Sequence, residues 1–150
     1  MRIRFVVLLL SLALSSGALA TPKDPVKFVG LLEQMRGHYD VVLFNYKAGK
    51  HALALKHASH PANELYDAVM ADLTPELQTQ FKKSHQAINA VLAAKKPVST
   101  LQAALDSFSS SVDAAIATVP AATLKDPKYG ARVISGILGN TKTEYSGGVA

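Results

Sequence analysis

The sequence predicts an all-α fold, an antiparallel helical bundle of four long helices with one or two short ones. Three observations predict it. Apolar residues recur at three- and four-residue steps over most of the chain, with no sustained alternation of the kind a half-buried strand shows. Beyond the first twenty residues the chain is rich in Ala, Leu and Lys, all strong helix formers. The breaks between periodic stretches are short and carry Pro, Gly or a capping side chain, so consecutive helices are expected to pack antiparallel.

The first helix is expected over 25–48, where Phe28, Leu32, Met35, Tyr39, Val42 and Tyr46 share a face. Gly49 suits the position after its end, because glycine enters the left-handed conformation without steric cost. A short helix over 50–59 follows. It is expected to stop there, since Pro61 disfavours helical geometry at His60. Pro61 then suits the first position of a third helix over 61–72. Thr74-Pro75-Glu76 supplies a capping hydroxyl, a proline at N1 and an acid in the first turn of a fourth helix reaching about residue 95. Its inward face carries Leu77, Phe81, His85, Ile88 and Leu92. Ser99-x-x-Gln102 reads as a capping box opening a fifth helix to about residue 119, with Leu101, Leu105, Phe108, Val112 and Ile116 inward. Asp126-Pro127 opens a sixth, with Tyr129, Val133, Ile137, Thr141 and Tyr145 in register, and Gly147-Gly148 ends it.

Residues 1–20 read as a secretory signal peptide. Arg2 and Arg4 precede an apolar run from Phe5 to Leu14, and Ala18-Leu19-Ala20 is a small-x-small cleavage site. The expected mature chain is one helical-bundle domain over 21–150, soluble in a periplasm or secreted, with no transmembrane segment. Without Arg2 and Arg4 it has 14 basic and 11 acidic side chains, a net charge near +3. That excludes a strongly cationic nucleic-acid binder. The chain has no Cys. It therefore cannot be a disulfide scaffold, a covalent c-type haem protein, a thiolate zinc protein or a cysteine-dependent enzyme. No P-loop, Rossmann glycines or G-x-S-x-G elbow occurs, and no enzymatic activity is expected.

Four of the five histidines, His38, His51, His57 and His60, fall within 23 residues, and Glu64 follows. Imidazole and carboxylate suit iron, copper or zinc. His60 and Glu64 are four apart, with His57 one turn earlier. A bend at Pro61 would turn these three toward a common point. His38 can join only through tertiary folding, and His51 fits poorly on the same face. Each placement also has a plain structural account: His57 suits a helix C-terminus and Glu64 an N-terminus, by their charges. His85, between Phe81 and Ile88, reads as a core histidine with a hydrogen-bond partner. The alternative is an axial haem ligand opposite Met35 or Met70.

The segments Gly37-His38-Tyr39, Gly49 and His57-Ala58-Ser59-His60-Pro61-Ala62-Asn63-Glu64-Leu65-Tyr66 carry a GH…H-x-x-H-P-x-x-E-L-Y pattern. It resembles a group of poorly characterised helical exported bacterial proteins. Glu144-Tyr145-Ser146-Gly147-Gly148-Val149 is similar to their E-Y-x-x-A-V ending, with glycine in place of alanine. Related E-Y motifs occur in the extracytoplasmic regions of FTR1-type iron permeases. The permeases' own R-E-x-x-E motif is absent. The resemblance implies an exported protein tied to iron or copper uptake, with His38, His57, His60 and Glu64 as metal ligands and Glu144 as a further one. The leading expectation is thus a soluble periplasmic transition-metal-binding or metal-uptake accessory protein, with a membrane metal permease or a periplasmic protein as partner. The alternatives are a helical interaction module with no metal, and a b-type haem bundle.

Overall fold

The structure is a computed structural model that describes residues 21–148, with side chains described over 21–142. The expected signal peptide and the Glu144 side chain lie outside the described residues. The described chain is all-α: α1 (Pro25–Lys47), α2 (His51–His60), a π-helical turn (Pro61–Leu65), α3 (Tyr66–Met70), α4 (Pro75–Ala93), α5 (Val98–Ile116), α6 (Ala121–Leu124) and α7 (Pro127–Gly148).

Helix α1 is the axis of the bundle. It packs against α2, α5 and α7, while α4 packs against α5 and α2. Its N-terminal half is buried on more than one face, with Phe28, Val29, Leu31, Leu32 and Met35 all inside. Asp24 caps it by accepting from the Lys27 N–H at 3.0 Å. Its end is a Schellman turn. The Gly49 N–H donates to the Tyr46 carbonyl at 3.0 Å and the Lys50 N–H to the Asn45 carbonyl at 2.8 Å. Gly49 takes φ +72°, the left-handed value expected of it. This turn sends α2 back along α1. Lys95 makes the same turn after α4 at φ 47°, where a glycine would be less strained. The Tyr46 hydroxyl donates to the Lys96 carbonyl, tying that turn to α1.

Two expectations fail at helix junctions. Chain direction does not break at His60-Pro61. His60 is α-helical (φ −60°, ψ −51°), Pro61 follows at φ −55°, ψ −38°, and helix continues from His51 to Met70. The register widens instead: the Tyr66 N–H donates to the Pro61 carbonyl, five residues back. Pro61 is fully buried. Tertiary packing of its ring outweighs the local preference that predicted a corner. The Ser99 capping box is also absent. Helix α5 starts at Val98 behind Pro97, with no side-chain cap, and Gln102 bonds Asp106 at 2.9 Å. Proline's fixed φ opens the helix two residues too early for Ser99 to cap it.

The core centres on Phe81 and Phe108, whose rings meet edge to face with centroids 5.4 Å apart. Tyr39 adds a second edge-to-face contact to Phe108 at 4.5 Å. On the surface, Arg36 of α1 pairs with Asp113 of α5 at 2.6 Å.

Candidate metal centre

In a helical hairpin, residues equally far from the turn come level with one another. His38 lies eleven residues before Gly49 and His60 eleven after it. His57 is one turn from His60 on the same face of α2. The hairpin therefore brings α1 and α2 histidines together. His38, His57 and His60 each present a ring nitrogen, and these three atoms lie within 4.8 Å of one another. The rings of His38 and His60 have centroids 5.4 Å apart, and those of His57 and His60 5.6 Å. All three residues are half-buried.

Four-coordinate zinc with nitrogen at about 2.0–2.1 Å needs ligand atoms about 3.3 Å apart. Ring nitrogens within 4.8 Å of one another are near that spacing. The electrostatics at His57 favour the neutral ring that a cation requires. Burial, then the neighbouring His60 and Lys56, holds the His57 pKa below the usual histidine value. The His57 Nδ1 is buried with no hydrogen-bond partner. An orphaned imidazole nitrogen is unusual, and a bound cation would satisfy it.

The other predicted residues do not join. Glu64 is exposed, because Pro61 and Leu65 turn inward and leave Asn63 and Glu64 on the solvent side of the π turn. It lies outside the group the structure brings together. His51 is exposed and stacks edge to face on Tyr46 at 4.5 Å.

His85 belongs to a separate network. Its Nδ1 pairs with the Tyr39 hydroxyl, and Asn89 Nδ2 donates to its Nε2 at 3.0 Å. The neutral ring then carries its proton on Nδ1 and donates it to Tyr39. Burial pushes the His85 pKa down. Burial, then the neighbouring Tyr66, pushes the Tyr39 phenol up. Both groups thus stay uncharged at neutral pH. With both ring nitrogens engaged, His85 offers no lone pair to a haem iron. Tyr39→Phe removes the acceptor for the Nδ1 proton and is expected to lower stability by about 1–3 kcal/mol. Urea denaturation measures it. A loss below about 0.5 kcal/mol would mean the ring alone matters.

Sequence reasoning missed Gln34. It sits one turn before His38 on α1 and is 9% exposed, yet neither its Nε2 nor its Oε1 has a partner. The four-residue spacing from His38 was the available signal. Its burial comes from α7, which packs on α1 from far along the chain.

No known protein family, curated protein or solved structure matches the chain.

Proposed function

We propose that the protein is an exported helical-bundle protein that binds a divalent transition metal through His38, His57 and His60 and acts as an accessory to metal uptake. The convergence of three imidazole nitrogens from two helices supports this reading. An all-nitrogen set suits zinc, copper or iron and has little use for magnesium or calcium. Structural zinc sites are closed by four protein ligands. Three leave a position for exchange, which suits a protein that takes up an ion and passes it to a partner such as a membrane metal permease. No described helix is long and apolar enough to cross a membrane, so the transport step itself falls to that partner.

Titration calorimetry with Zn²⁺, Cu²⁺ and Fe²⁺ tests the site. One ion per chain is expected. His38→Ala is expected to weaken binding by more than the roughly 10–100-fold that loss of an outer-shell partner costs. His57→Ala/His60→Ala is expected to abolish it. Equal heats from wild type and the double variant would remove the site and leave a helical interaction module without metal.

A further inference from the structure

The metal centre opens onto a cleft. Between α1, α2 and α7 lies a space of about 310 Å³ whose wall includes His38 and His57 together with Gln34, Val41, Ile137 and Thr141. A metal held by the triad would therefore border it. A second space of about 270 Å³ lies along the same α1–α7 seam, and Gln34 is the wall residue common to both.

A buried carboxamide without partners is destabilising on its own, and native proteins rarely leave one so. A ligand entering either space that Gln34 borders can satisfy it. We propose that the cleft receives a small carboxylate bearing a hydrogen-bond donor on the adjacent carbon, an α-hydroxy or α-amino acid, which completes the coordination of the metal and bonds to Gln34. The proposal rests on the metal reading of the triad.

The chemistry of the walls selects this class. A metal with three neutral imidazoles keeps its positive charge and attracts a carboxylate oxygen to the open position, where it displaces water. The Gln34 amide offers a donor and an acceptor side by side. A plain carboxylate satisfies only the donor. An adjacent hydroxyl or amino group supplies the missing proton to Oε1. Glu33 also borders the cleft and opposes a second negative charge on the ligand. At about 30 Å³ per water, the first space holds roughly ten waters, enough for a molecule of five to nine heavy atoms. Val41 and Ile137 give it an apolar lining.

The test uses the full chain loaded with one equivalent of Co²⁺, whose d–d absorption reports its ligands. Glycolate, glycine and acetate are titrated in turn. Glycolate or glycine is expected to change the spectrum saturably, with acetate at least about tenfold weaker. Gln34→Met is expected to weaken glycolate about tenfold, equal to 1.4 kcal/mol, while Co²⁺ affinity stays at the wild-type value. Val41→Trp, at a position 38% exposed, is expected to block glycolate by filling the cleft and to spare Co²⁺. It serves should Gln34→Met fail to fold. Acetate binding as well as glycolate, undiminished glycolate binding in both variants, or loss of Co²⁺ to the added acid overturns the co-ligand and leaves the metal site standing. Failure of the wild type to bind Co²⁺, or equal binding by His57→Ala/His60→Ala, overturns the metal reading and this proposal with it.

Discussion

Replacing Phe108 with alanine is expected to destabilise the protein by about 3–5 kcal/mol, the largest effect of any single change argued for this fold. Phe108 is 1% exposed and sits where α1, α4 and α5 converge. Its ring meets Tyr39 of α1 and Phe81 of α4 edge to face, an arrangement that contributes beyond area burial alone. Truncation leaves a cavity lined by rings fixed from two sides, which limits relaxation. Tyr39 is held by His85, and Phe81 is itself fully buried. The midpoint of urea denaturation should move down by about 2 M at an m-value of roughly 1–3 kcal/mol/M, with the slope unchanged. Phe44→Ala is the control. That ring is 70% exposed, and its loss should change stability by less than about 0.5 kcal/mol. Comparable effects from the two variants would mean that the centre of the core lies elsewhere.

Periodicity made most of this core legible. Leu101, Leu105, Phe108 and Val112 of α5 are buried as their spacing predicts, and so are Leu77, Phe81, Ile88 and Leu92 of α4. Proline and glycine were read correctly where local geometry decides, as at Gly49 and Pro75. They were misread where packing decides. Pro61 continues a helix because burying its ring in the core outweighs a preference that acts on one dihedral angle. The same distinction governs the site. His57 and His60 are legible from their three-residue spacing, although the sequence predicts a break between them and the structure keeps both on α2. The partnership of His38 with them needs the hairpin at Gly49, a tertiary contact that spacing within either helix does not show. Glu64 joins the histidines in the sequence through its four-residue spacing from His60, a corner expected at Pro61 and the H-x-x-H-P-x-x-E-L-Y resemblance. The inward turn of Pro61 and Leu65, a tertiary fact, moves it to solvent. Gln34 was invisible because the helix that buries it begins almost a hundred residues later.

Zinc at one hundred times its dissociation constant is expected to raise the stability of the wild-type protein by about 2.7 kcal/mol, through mass action on the native state. For a domain of this size that is a rise in Tm of roughly 5–11 °C, at about 2–4 °C per kcal/mol. His57→Ala/His60→Ala should show none. The rise must also depend on pH, with a predictable sign. A metal binds the unprotonated imidazole, so protons compete as pH falls through about 6.5, the unperturbed histidine value. Part of the acid response exists without metal. His57 and His85 have folded pKa values below their unfolded ones. From about pH 6.5 down to those lowered values the unfolded chain binds more protons than the native one, so the metal-free protein loses stability as pH falls through that window. The metal-free Tm should therefore already decline on acidification. The difference between melts with and without zinc is what isolates the site. That difference should be largest above pH 7 and shrink toward pH 5, because the ion holds its ligands neutral against a rising proton concentration. A zinc-dependent rise that is the same at pH 5.5 and pH 7.5 would place the ion on carboxylates, which remain ionised across that range, and would exclude the three histidines as its ligands.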